Sequence, residues 1–105
     1  MPSKLIRDKI PAIARDAGQI LDIRTADRTE MAGLLRDKLV EEAAEAAAAS
    51  PDTLLEELAD VLEVVYTLGR LHGWGPREIS LAKLRKALQR GEFTKGYVLT
   101  TPEPS

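Results

Sequence analysis

Two groups of acidic residues have the types and the spacing to hold a divalent cation. The first reads E-E-x-x-E over residues 41–45, and the second reads E-x-x-D over residues 57–60. Residues three positions apart are neighbours on a helix, so each group presents a pair of carboxylates on one surface. Carboxylate oxygens suit Mg²⁺ and Ca²⁺, whereas Zn²⁺ favours His and Cys, and this chain has one His and no Cys. The pattern predicts a cage of hard oxygen ligands.

The helical phase indicates which acids face inward. At 100° per residue, Glu42 falls within the apolar stripe of its helix and Glu45 lies at the margin of that stripe. On the next helix Glu57 projects into the apolar arc and Asp60 lies at its edge, whereas the adjacent Glu56 points into the polar sector. A carboxylate on a buried face is costly unless it is paired, protonated or bound to a metal.

A solvated acidic helix face is the ordinary explanation for one such pair, because Lys or Arg one turn away usually neutralises it. Here two inward pairs fall on adjacent predicted helices, and no basic residue lies between Val40 and Gly69. Two carboxylates about 6 Å apart at an effective dielectric of about 20 repel each other by about 3 kcal/mol. This repulsion favours a bound cation over a solvated face.

Five short segments, taken in order along the chain, resemble a known family. The E-E-x-x-E and E-L-A-D segments resemble the all-α nucleoside triphosphate pyrophosphohydrolases of the MazG superfamily. Three flanking segments are similar to its small branch called phosphoribosyl-ATP pyrophosphohydrolase-like: K-L-I-R-D-K-I-P over 4–11, K-A-L-Q-R-G over 86–91 and F-T-K-G over 93–96. The resemblance extends over nearly the whole chain, and the motifs together are more specific than any one of them.

The resemblance implies a metal site and a reaction. By position, the Mg²⁺ ligands would be Glu42, Glu45, Glu57 and Asp60, with Mn²⁺ as an alternative ion, and Glu41 would be a further acid near the metal or its water. The implied reaction is hydrolysis of a nucleoside triphosphate to the monophosphate and pyrophosphate, as house-cleaning of non-canonical or surplus nucleotides. In it Mg²⁺ bridges the phosphates while Glu41 orients or deprotonates the water. Phosphoribosyl-ATP is the alternative substrate.

A basic strip on the last predicted helix contains Lys83, Lys86 and Arg90 at positions i, i+3 and i+7, and Lys95 follows that helix. A solvated surface is the ordinary explanation of such a strip. The alternative is that Lys86, Arg90 and Lys95 contact substrate phosphates, because phosphoryl chemistry combines an acidic metal cage with positive charge. Arg7 has the same two explanations, and its functional one follows only from the resemblance.

Helix start and stop signals predict an all-α fold with one domain over residues 1–105. The expected helices cover about 8–17, a segment capped by Asp27 or Thr29 and ending at Ala49, 51–72, and 76–90. They would form an antiparallel bundle of three main helices and a short N-terminal helix. Residues 19–24 and 97–100 are expected to be extended links or a small two-stranded ribbon.

The apolar arc over residues 51–72 is too wide for one small bundle to cover, so we expect a homodimer or homotetramer. An outlying apolar residue such as Val64 would then lie against the second subunit. The single histidine, His72, is expected to be a capping or packing group at a helix end.

Composition excludes several functions. A net charge of −2 and 4% aromatic residues disfavour a polynucleotide partner. The absence of cysteine and of a long apolar segment predicts a cytoplasmic protein that does not enter a membrane. No Walker A motif is present, and the only histidine, expected at a helix end, is not placed to serve a Ser/His/Asp triad. Besides the enzyme, the remaining class is a non-catalytic helical interaction module whose acids bind a basic partner.

Overall fold

Four helices make up the regular structure of the protein. The computed structural model describes residues 3–102, with α1 at Ile10–Asp16, α2 at Arg28–Ala48, α3 at Pro51–Leu71 and α4 at Pro76–Arg90. No strand occurs within this range, so the predicted all-α class is confirmed. In the same range no helix combines the length and the apolar character needed to cross a bilayer.

Local signals fix where the long helices begin. The Asp27 carboxylate caps α2 by accepting a hydrogen bond from the Glu30 N–H at 2.9 Å, so Asp27 rather than Thr29 is the cap. Pro51 and Pro76 occupy the first positions of α3 and α4, where the missing proline N–H has no helical partner to lose.

Helices α2 and α3 pack against each other, and α4 contacts α3. The buried apolar residues include Leu35 on α2 and Val64 on α3, which are 3% and 8% exposed. The expectation that Val64 lies against a second subunit is therefore wrong. Val64 and Leu35 line the same cleft within one chain. The helical phase correctly predicted that Val64 faces inward, but it could not predict whether residues of the same chain or of a second subunit would bury it.

The junction of α3 and α4 is closely packed around Gly69. A Cβ atom at Gly69 would lie 2.6 Å from Ile79 Cδ1 and 3.1 Å from the Trp74 carbonyl oxygen. A side chain at this position would displace the end of the Ile79 side chain and crowd the backbone of the turn before α4. The His72 ring stacks on Trp74 with ring centroids 5.6 Å apart, so His72 is a packing group at the helix end, as predicted.

The expected two-stranded ribbon does not form. Residues 19–27 and 97–100 have no regular structure and no strand pairing. Ile20 is 97% exposed and Val98 is 80% exposed, so these apolar residues of the two runs are not packed against a partner surface. A two-stranded ribbon without a buried face is marginal in water, and this explains why both runs remain extended links.

The single chain is elongated and its apolar surface is only partly covered. Its radius of gyration is 17.7 Å, whereas a compact domain of this length would have about 13 Å. Large apolar side chains are exposed along α3 and α4, including Leu55, Leu58, Leu62, Leu84 and Leu88. These rows are the surface on which the expected subunit contact would form, and that contact stays a prediction.

Candidate metal centre

Three acids from two helices meet at one point. Carboxylate oxygens of Glu42 on α2 and of Glu57 and Asp60 on α3 all lie within 4.8 Å of one another. The packing of α2 on α3 brings the two pairs of the sequence pattern face to face. Glu57 and Asp60 are one helical turn apart and share a side of α3, as their spacing requires.

The centre contains carboxylate oxygens that have no partner. Glu42 is only 8% exposed. Its Oε2 atom and the Oε2 atom of Glu57 are buried, and no hydrogen-bond donor reaches either of them in the described part of the chain. Leaving a buried acceptor unsatisfied costs about 1–3 kcal/mol, and more when the group is charged. An all-oxygen cluster with unpaired buried carboxylates fits a hard divalent cation.

Electrostatics at the centre favour a positive occupant. Burial raises the pKa of Glu42, and the charges of the Glu45 and Asp60 carboxylates raise the pKa further. The Lys38 ammonium opposes this shift and lowers the same pKa. The net direction is upward, so one nearby lysine does not offset the burial and the negative neighbours.

The other two predicted acids lie at the edge of the centre. Glu45 is exposed and lies outside the group of three, although its charge acts on Glu42. Glu41 is half-buried, and its Oε2 atom lies 3.6 Å from the Lys38 Nζ atom. Glu56, which was expected in the polar sector of α3, is exposed, and Glu63 on the same helix is exposed with its Oε2 atom 3.9 Å from Arg70 Nη2.

Two basic residues contact the centre, and neither was assigned to it from the acid pattern. Lys38 Nζ lies 3.5 Å from Glu42 Oε1, one turn earlier on α2. The i,i+4 spacing of Lys38 and Glu42 is the signal that would have found it. Arg7 Nη2 lies 2.6 Å from Asp60 Oδ1. No local spacing predicts a contact across 53 positions, and only the resemblance pointed to positive charge from this segment.

The predicted phosphate-binding residues lie elsewhere in the single chain. Lys86 and Arg90 are exposed on α4, and Lys95 is exposed in the segment that follows. Helix α4 contacts α3 near Gly69, about 13 Å along the helix from Asp60. None of the three basic residues lines the cleft at the acids. One chain alone therefore does not bring the basic strip to the centre.

A cleft of about 1150 Å³ opens beside the acids. Its walls are the segments 3–9 and 21–26 together with the facing sides of α2 and α3, and Glu42 and Asp60 lie in these walls. Ligand pockets commonly measure about 300–1000 Å³, so the cleft has room for a nucleotide. The basic side chains in its lining include Lys4, Arg7, Arg24 and Lys38.

The comparison with protein families gives one match. A family model described as phosphoribosyl-ATP pyrophosphohydrolase matches residues 19–90, which include the acidic groups of α2 and α3. The resembling segments at 4–11 and 93–96 lie outside the matched residues. No curated protein and no solved structure matches the chain. Because the match spans well over half of its length, the chain belongs to the phosphoribosyl-ATP pyrophosphohydrolase family, within the MazG-like all-α nucleoside triphosphate pyrophosphohydrolase superfamily.

Proposed function

We propose that the protein hydrolyses a nucleoside triphosphate to the monophosphate and pyrophosphate in a Mg²⁺-dependent reaction. Family membership implies the coarser activity, a pyrophosphohydrolase that acts on a nucleotide. The observation that carries the proposal is the group of Glu42, Glu57 and Asp60, in which two buried carboxylate oxygens have no partner. A helix pair held together for structural reasons alone would not keep such a costly arrangement.

The residues divide into holding and positioning roles. Glu42, Glu57 and Asp60 hold the ion, and Glu45 completes the set from the edge. A bound Mg²⁺ or Mn²⁺ neutralises phosphate charge and makes a nearby water more acidic. Glu41 orients the water and accepts its proton. Lys38, 3.6 Å from Glu41 and 3.5 Å from Glu42, keeps both carboxylates in place.

The phosphates of the substrate require positive charge at the cleft. In this proposal Lys86, Arg90 and Lys95 contact phosphate oxygens. Because they lie outside the cleft of their own chain, they would have to come from a second subunit. Mixing a Glu57→Gln variant with a Lys86→Gln variant tests this, since shared sites restore activity in mixed oligomers. If the mixture is no more active than its components, the strip does not act across subunits.

The family description favours a second candidate substrate, phosphoribosyl-ATP. The bond broken is the same, and the two candidates differ in the extra phosphoribosyl group on the base. The proposed centre touches only the phosphate chain, so it serves either substrate. We place the nucleoside triphosphate first because it is the simpler substrate that contains every group the proposed centre contacts.

Pyrophosphate release tests the proposal. The purified protein is assayed with normal and damaged nucleoside triphosphates and with phosphoribosyl-ATP, each with Mg²⁺, with Mn²⁺ and with EDTA. We expect release of pyrophosphate and monophosphate in equal amounts, abolished by EDTA. Turnover of phosphoribosyl-ATP alone would favour the second candidate. If no nucleotide is turned over with any divalent ion, the proposal fails and the alternative, a non-catalytic interaction module, is favoured.

A further inference from the structure

One acid of the centre is already paired with a basic side chain. Arg7 Nη2 donates a hydrogen bond to Asp60 Oδ1 at 2.6 Å, and Asp60 is one of the three clustered acids. A divalent ion bound to the Asp60 carboxylate would place a second positive charge next to the Arg7 guanidinium, and the two charges repel each other at that distance. A divalent ion that binds Asp60 therefore competes with Arg7.

The contact between Arg7 and Asp60 is not needed to hold the fold together. The Arg7 and Asp60 side chains are 60% and 39% exposed, and ion pairs with this much solvent exposure contribute little to stability. Residues 3–7 have no regular structure, and α1 packs against none of the other three helices. The segment that carries Arg7 can therefore give up this partner at low cost.

We propose that Arg7 exchanges partners at the centre, pairing with Asp60 while no cation is bound and with the phosphate groups of the nucleotide once a cation has taken Asp60. This inference rests on the proposed function. Arg7 lines the cleft beside the acids, so the released guanidinium stays where the phosphates would lie. The planar guanidinium of Arg pairs with phosphate as well as with carboxylate, so Arg7 replaces one charge-assisted hydrogen bond by another of the same kind.

The exchange makes two predictions of opposite sign for Arg7→Gln. Removing the competitor should tighten binding of the ion alone by about two- to fivefold, the factor that a solvent-exposed ion pair can supply. Removing the phosphate contact should weaken nucleotide binding by about tenfold, since charge-assisted hydrogen bonds are the strong ones. If Arg7 merely supported the fold, Arg7→Gln would weaken the binding of both ion and nucleotide. If Arg7 only attracted nucleotide, the substitution would leave ion binding unchanged.

Calorimetry on the full chain tests the exchange. Mn²⁺ is titrated first without nucleotide, and then, at saturating Mn²⁺, a triphosphate analogue with a methylene bridge between the α and β phosphorus atoms is added. Arg77→Gln, an exposed change of the same charge on α4 and outside the cleft, is the control and should match the wild type in both titrations. Arg7→Lys should recover part of the nucleotide affinity. Circular dichroism checks that helix content is unchanged.

The outcomes separate this inference from the proposed function. If the wild type binds neither Mn²⁺ nor the analogue, the proposed function itself fails. If the wild type binds both, the exchange is supported when Arg7→Gln tightens the first and weakens the second. It is overturned, with the proposed function intact, when both affinities move in the same direction or when either stays as in the control.

Discussion

Glu42 on α2 and Glu57 on α3 each direct a buried carboxylate oxygen, Oε2, to a place where no donor of the described chain reaches it. Together with Asp60, their oxygens fall within 4.8 Å. Three carboxylates this close repel one another strongly in a partly desolvated site. A cation between them would turn this repulsion into attraction, so ion binding, stability and activity should change together.

The first prediction concerns stability. Mg²⁺ at 100 times its dissociation constant should stabilise the fold by about 2.7 kcal/mol, because the folded state alone assembles the ligands. Thermal unfolding with increasing Mg²⁺, and again with EDTA, measures the effect. In Glu57→Gln the Mg²⁺-dependent rise should be largely lost. A melting temperature that ignores both Mg²⁺ and EDTA would argue against any metal site.

The second prediction concerns pH. The pKa of Glu42 is raised from 4.5 by burial and by neighbouring carboxylates, so folded Glu42 binds its proton more tightly than unfolded Glu42. The free energy of unfolding of the metal-free protein should therefore fall as pH rises from about 4.5 through the raised pKa. Urea unfolding in EDTA at several pH values measures this slope. In Glu42→Gln the free energy of unfolding should depend less steeply on pH, because this titrating group is absent. Equal slopes in the variant and the wild type would contradict the raised pKa of Glu42.

The third prediction concerns the junction of α3 and α4. Gly69→Ala should destabilise the fold by about 1–3 kcal/mol, because its Cβ would lie 3.1 Å from the Trp74 carbonyl oxygen and would force the Ile79 side chain to repack. Gly33→Ala is the matched control in α2, where a Cβ would meet nothing within 4 Å of the described chain. The control should stabilise by up to about 1 kcal/mol through helix propensity. Urea unfolding of both variants checks this, and equal effects would show that the close approach is absent.

The fourth prediction concerns assembly. Leu58 is 51% exposed on α3 and is therefore the residue to change, whereas Val64 is buried within one chain. Leu58→Lys should weaken self-association by sedimentation and leave helix content unchanged. Glu56→Lys, on the exposed polar side of the same helix, should have little effect. A wild-type protein that sediments as a monomer at low concentration would contradict the expected association of subunits.

Local geometry explains which features the sequence could predict. The 100° rotation between Glu56 and Glu57 depends only on α3 being a helix, and Pro51 starts that helix clearly. The structure accordingly leaves Glu56 exposed and buries Oε2 of Glu57. The contact of Lys38 with Glu42 could also be predicted from the sequence, since Lys38 lies one helical turn before Glu42.

Tertiary neighbours explain what could not be predicted. The direction of Val64 follows from the helix, but the choice between another helix of the same chain and a second subunit does not. The contact of Arg7 with Asp60 depends on where an irregular segment runs, and no periodicity encodes that path. The runs at 19–24 and 97–100 have β-forming residues, but β propensity needs a surface to pack on.

The fifth prediction is also the most direct test of the central claim, that a carboxylate's direction on its helix separates a metal ligand from a bystander. Pyrophosphate release is measured for Glu57→Gln and Glu56→Gln, which make the same chemical change at adjacent positions. Glu57→Gln should reduce metal-dependent turnover by about 100-fold or more, about 2.7 kcal/mol in the barrier. Glu56→Gln should lose less than about threefold, because a solvated charge away from the ion is screened. Equal losses at positions 56 and 57 would contradict the assignment of the centre.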